Sequence, residues 1–125
     1  MRQRILIVDD DVDSMRILSY ALRAAGYDAL PAYGGEDAII KTKRHRPDLV
    51  ITDLAMPNVS GVEVIYAIKR DPQTRHIPVL AVTAYIWESI ARGANQAGCD
   101  GYIAKPFTAR DVVAKVREHL EVRAA

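Results

Sequence analysis

The chain has 125 residues, 50% of them hydrophobic and 26% charged, with 17 Lys and Arg against 16 Asp and Glu for a formal net charge of +1. That length fits one ordinary globular domain over residues 1–125, and the composition excludes a disordered chain. The near-neutral balance argues against a nucleic-acid groove or an anionic membrane as partner, since both are recognised through clustered Lys and Arg.

Read for period, short runs of aliphatic and β-branched residues alternate with stretches of helical spacing. Ile5–Val8 is the first strand; Met15, Leu18, Leu22 and Ala25 then recur at helical intervals and predict a helix with one buried stripe, stopped at Gly26. Ala29–Tyr33 is a weaker strand in which Pro31, unable to donate to a ladder, predicts a sheet edge. Gly34 and Gly35 open a helix reaching about His45. Leu49–Thr52 is almost wholly apolar, the pattern of a parallel strand covered on both faces in the middle of a sheet. A loop at Met56, Pro57 and Asn58 leads to a helix carrying Val62, Ile65 and Ile68, with Ser60 and Glu63 at capping-box spacing at its start. Val79–Val82 is the next strand, followed by a helix with Ile90, Ala94 and Ala97 that stops at Gly98. Tyr102–Ala104 is the last strand. Thr108 and Asp111 then form a second capping box before Val112, Val113, Val116 and Leu120, leaving Glu121–Ala125 as a tail.

Such βα alternation predicts a doubly wound α/β domain, in which ligands bind beyond the carboxyl ends of the strands. Polar residues gather at those ends: Asp9 and Asp10 after the first run, Asp53 after the third, Thr83 after the fourth and Lys105 after the fifth. Carboxylates brought together repel one another unless a divalent cation sits among them. An all-oxygen ligand set without imidazole or thiolate suits a hard ion, Mg²⁺, with Mn²⁺ able to substitute. A neighbouring lysine and hydroxyl add the positive charge and the donor that a transferred phosphoryl group requires.

The segments Val8-Asp9-Asp10, Asp53-Leu54-Ala55-Met56-Pro57 with Gly61, Val82-Thr83-Ala84 and Gly101-Tyr102-Ile103-Ala104-Lys105-Pro106-Phe107 resemble the receiver domain of bacterial two-component response regulators, along the whole chain. The resemblance is to the stand-alone, chemotaxis-type members. It implies a flavodoxin-like (βα)5 fold with a five-stranded parallel sheet in the order 2-1-3-4-5, and a phosphoryl group accepted on Asp53 from a histidine kinase or histidine phosphotransfer protein. It further implies Mg²⁺ bound by Asp10, Asp53 and the backbone carbonyl of Ala55, with Asp9 acting through a water. Thr83 and Lys105 would contact the phosphoryl oxygens, Lys105 would precede a cis peptide to Pro106, and Thr83 and Tyr102 would form the switch. In this reading the chain catalyses its own phosphorylation and dephosphorylation and is otherwise no enzyme. The aromatic residues Tyr85, Trp87 and Tyr102, with Ile86, suggest an output face for a downstream protein target on the fourth helix, fifth strand and fifth helix. A monomer is the default, with a phosphorylation-dependent dimer as the alternative.

Two other functions share these residues: a Mg²⁺-dependent phosphatase of exogenous substrates using Asp53 as nucleophile, and a receiver that binds partners without phosphorylation. The first would need a second aspartate two residues after Asp53, where Ala55 stands. A flavin carrier is disfavoured because Asp9, Asp10 and Asp11 occupy the loop where a phosphate would bind. The single cysteine, Cys99, excludes an intramolecular disulfide and reads as a small turn or core residue. With no apolar run of membrane-spanning length and no signal peptide's apolar region, a cytoplasmic protein is expected. His45, His76 and His119 lack metal-ligand spacing and are expected on the surface.

Overall fold

Strand and helix alternate throughout the computed structural model, which describes residues 2–84 and 89–124. The elements are β1 (Arg4–Val8), α1 (Val12–Ala24), β2 (Asp28–Ala32), α2 (Gly35–His45), β3 (Leu49–Asp53), α3 (Gly61–Arg70), β4 (Val79–Thr83), α4 (Ser89–Ala97), β5 (Gly101–Ala104) and α5 (Ala109–Ala124). All pairings are parallel and the sheet order is β2-β1-β3-β4-β5. This is the flavodoxin-like doubly wound arrangement, with β2 and its Pro31 on an edge as expected.

Successive strand residues point to opposite faces, so the apolar runs feed two core layers. Ile5, Ile7, Ile51 and Leu80 pack with Met15, Leu18 and Leu22 of α1 and Val112, Val116 and Leu120 of α5. Leu6, Val8, Val50 and Ala81 face the other way, against Ala38 of α2, Val64, Ile65 and Ile68 of α3 and Ala94 of α4. Each fully buried Leu, Ile or Val contributes on the order of 2 kcal/mol. Because β1, β3 and β4 are covered on both sides, their carboxyl ends are held rigidly.

The helix starts are closed by side chains. Asp11 caps α1, accepting from the Ser14 backbone N–H at 3.2 Å and the Ser14 hydroxyl at 2.8 Å. Ser60 accepts from the Glu63 backbone N–H at 3.3 Å. At α5 both halves of the expected box form: the Thr108 N–H donates to Asp111 Oδ2 at 2.9 Å and the Asp111 N–H donates to Thr108 Oγ1 at 3.1 Å. These bonds hold the Asp111 carboxyl below its ordinary range. A carboxyl depressed by folding stabilises above its unfolded pKa, and that contribution disappears as pH falls through the folded value. The Tm gap between wild type and Asp111→Ala is therefore expected to be full at neutral pH and to shrink progressively below about pH 3.9. A gap that is constant from neutral pH down to about pH 2 would remove the charged cap from the account.

Boundaries differ from the sequence expectations in physically simple ways. β2 begins and ends one residue earlier, at Asp28 and Ala32. β3 and β4 extend to Asp53 and Thr83, because the ladder continues through Asp53↔Val82 and Thr83↔Ala104. The expected tail is instead the last turn of α5, which runs to Ala124: Glu121, Val122, Arg123 and Ala124 contain no Gly or Pro to stop a helix. No described helix is long and apolar enough to cross a membrane.

Candidate functional site

The carboxyl end of the sheet assembles the polar residues strand by strand. The Asp9 N–H donates to the Ala32 carbonyl at 3.1 Å, carrying the β1–β2 ladder one residue past Val8. Asp9 is buried, and its Oδ1 accepts from the Asp11 N–H at 2.9 Å. Burial pushes its carboxyl up; the Asp11 amide opposes this and the charge of Asp53 adds to it. Asp10 is exposed on the solvent side. Asp11 belongs to the helix cap, and the Ser14 bonds hold its carboxyl low.

Asp53 is the final residue of β3 and is 7% exposed. Its Oδ1 accepts from the Ala55 N–H at 3.0 Å, and its Oδ2 lies 3.0 Å from Lys105 Nζ. Lys105 is placed by β4: its backbone N–H donates to the Thr83 carbonyl at 3.0 Å, and the peptide between Lys105 and Pro106 is cis. Thr83 itself is buried at the end of β4.

Carboxylate oxygens of Asp9, Asp10 and Asp53 lie within 4.8 Å of one another. Among the described residues, Lys105 is the one cation in ion-pair contact with any of them. Three acidic groups against one ammonium leave an excess of negative charge. A hard divalent ion fits this donor set, with its oxygens, its open side at Asp10 and its lack of soft ligands.

The loop after Asp53 is shaped by close backbone approach. The Gly61 N–H donates to the Leu54 carbonyl at 3.1 Å. A Cβ at Gly61 would run into the Asp53 carbonyl oxygen and lie 2.7 Å from Leu54 Cα. A Cβ at Gly35 would similarly meet Val59 Cγ1 at 2.6 Å, so the start of α2 presses on the same loop. In the sequence Gly61 is marked only as part of a motif, and Gly35 only as a helix opener, with no local signal of its approach to Val59.

Tyr102 is partly buried against the α2–α4 core layer together with Cys99 and Ala97. Burial, with a hydrogen bond to Cys99 adding to it, pushes its phenol up to about 12. The Cys99 thiol is likewise raised by burial, as befits a packed residue and not a nucleophile. His45 and His76 are exposed, but His119 corrects the surface expectation. Its Nδ1 lies 3.0 Å from the Lys115 carbonyl and its Nε2 3.3 Å from that of Asp100. Gly101 makes room for the ring, since a Cβ there would be 3.1 Å from it. Tyr85, Ile86 and Trp87 lie outside the described residues.

The doubly wound sheet carries a buried carboxylate at the end of its central strand, flanked by further carboxylates and a lysine. Residues 5–117 match the response regulator receiver domain, and the chain belongs to that family. It is 34% identical to the polar-differentiation response regulator DivK of Brucella anthropi, over 96% of this chain and 98% of the relative. The fold superposes with a TM-score of 0.90 on the receiver domain of the sensor histidine kinase PA1611 of Pseudomonas aeruginosa, at 26% identity over 97% of this chain and 99% of that one. That structure holds a magnesium ion coordinated in its active-site cleft. The chemotaxis protein CheY4 of Vibrio cholerae matches with a TM-score of 0.89 at 26% identity, over 94% and 98% of the two chains. Response regulator receiver domains serve two-component signalling.

Proposed function

We propose that residues 1–125 act as one phosphorylation-controlled switch, in which Asp53 accepts a phosphoryl group from a phosphohistidine on a histidine kinase or histidine phosphotransfer protein. The observation that carries this reading is the setting of Asp53: buried, oriented by the Ala55 N–H, facing Lys105 at 3.0 Å and grouped with Asp9 and Asp10. The Asp53 carboxylate attacks phosphorus, the P–O bond forms as the P–N bond breaks, and the imidazole leaves with that electron pair. Lys105 and the Thr83 hydroxyl then meet the oxygens of the transferred group. Asp10, Asp53 and the Ala55 carbonyl, with Asp9 through a water, would hold a Mg²⁺ ion, which supplies charge neutralisation; Mn²⁺ has the same ligand preferences.

Downstream, Thr83 and Tyr102 form the switch, on adjacent strands paired as Ala81↔Tyr102 and Thr83↔Ala104. The surface read by the partner protein lies beside Tyr102, where β5 and α5 form a groove of about 390 Å³ including Phe107 and Lys115. The chain acts as a monomer in the cytoplasm.

Acetyl phosphate with Mg²⁺ is expected to add one phosphate, read by intact mass, and excess EDTA to stop the addition. Mg²⁺ alone is expected to raise the Tm of wild type, because an ion that binds only the folded state stabilises it. Asp10→Asn should lose most of that rise. Undiminished phosphorylation in chelator would refute the metal requirement, and steady release of phosphate from small phosphomonoesters would favour the phosphatase reading.

A further inference from the structure

A groove of about 450 Å³ runs between α1 and the edge strand β2 and shares no residue with the acidic cluster. We propose that it binds a small phosphorylated aromatic compound of the nucleoside monophosphate class. Its volume lies within the range of small-molecule sites. Arg16, Ser19, Tyr20 and Arg23, at i, i+3, i+4 and i+7, form one stripe along α1, and Pro31 and Tyr33 form the facing wall.

Three features select this ligand chemistry. Tyr20 is 78% exposed and Tyr33 49% exposed, so each wall presents an uncovered aromatic ring on which a planar base can stack. Positive charge is unspent: the Arg16 guanidinium makes no hydrogen bond or ion pair among the described residues, and Arg23 uses one Nη2, at 3.4 Å from the Ala29 carbonyl. No carboxylate lines the groove. Ser19 lines the groove, and its hydroxyl bonds to no other group among the described residues. No buried side-chain polar atom among those residues lacks a partner, so this hydroxyl is accessible and free to donate to a ligand in the groove. Guanidinium groups and a hydroxyl are the donors that bind phosphate oxygens, and aromatic faces bind the base.

The test is a titration of the ¹⁵N-labelled full chain with AMP, without Mg²⁺, followed by amide NMR. AMP cannot phosphorylate Asp53, so binding is seen apart from any signalling chemistry. Saturable shifts are expected in the amides of Ser19, Tyr20 and Tyr33, with adenosine at least about fivefold weaker because it lacks the charged acceptors. Inorganic phosphate alone should also be weaker, because it lacks the ring. Arg16→Gln and Tyr33→Ala, both substitutions at exposed positions, should each weaken AMP at least about fivefold while leaving phosphorylation by acetyl phosphate unchanged. The proposal is overturned if AMP gives no saturable shift up to roughly 5 mM. It is also overturned if the shifts cluster at Asp9 and Asp53 instead, if adenosine or phosphate binds as well as AMP, or if both variants bind like wild type.

Discussion

Asp53→Asn is expected to take up no phosphate from acetyl phosphate or from a phosphohistidine donor, under conditions in which wild type gains one. The substitution keeps the shape of the side chain and an oxygen for the Ala55 N–H, which sits 3.0 Å from Asp53 Oδ1. What it removes is the anionic oxygen that must form the bond to phosphorus, so the loss is of chemistry and not of fold. Near-native circular dichroism and an unphosphorylated intact mass would together support the assignment; phosphate found on another residue at the wild-type rate would falsify it. Lys105→Ala is expected to be milder, slowing phosphorylation by roughly 100-fold, the usual effect of losing one charged donor to a reacting oxyanion. Its ammonium stands 3.0 Å from Asp53 Oδ2, but the cluster of Asp9, Asp10 and Asp53 carboxylates is left intact.

Gly61→Ala should have the largest effect on stability of any single-methyl change near the site. The added Cβ collides with backbone, at the Asp53 carbonyl oxygen and at Leu54 Cα, and backbone at the end of a doubly covered strand cannot move aside as a flexible side chain would. Overpacking of this kind costs about 3 kcal/mol. For a domain of this size that lowers Tm by about 10 °C. Because the strained atoms belong to Asp53 itself, phosphorylation should slow as well, even at temperatures where the variant is fully folded. Urea unfolding together with acetyl phosphate kinetics checks both parts, and a variant with wild-type midpoint and rate would show that the loop relaxes freely.

Much of this site is legible in the order of residues along the chain. Each chemistry-bearing side chain directly follows or ends an apolar run, and in a parallel βα repeat all such ends lie on one side of the sheet. Asp9, Asp10, Asp53, Thr83 and Lys105 are therefore brought to a common edge by local pattern and chain handedness alone. Pro31 likewise marks an edge strand wherever the sheet places it, because it lacks the donor that a central strand needs.

Contacts between segments distant in sequence carry no such mark. Nothing local distinguishes Asp9, which is buried and turned toward Asp53, from Asp11, which closes a helix; the difference arises from the β1–β2 ladder and the start of α1. The need for glycine at positions 35 and 61 comes from Val59 and from Asp53–Leu54 pressing on two helix starts. His119 is drawn inward by a carbonyl of β5's leading turn and the space left by Gly101. The groove holding Ser19 exists only because α1 packs beside an edge strand with no further neighbour. Periodicity and strand-end chemistry, which act over a few residues, were thus determined by the sequence itself. Close approach, burial and charge environment were decided by the tertiary structure, because they depend on atoms that folding alone brings within a few ångströms.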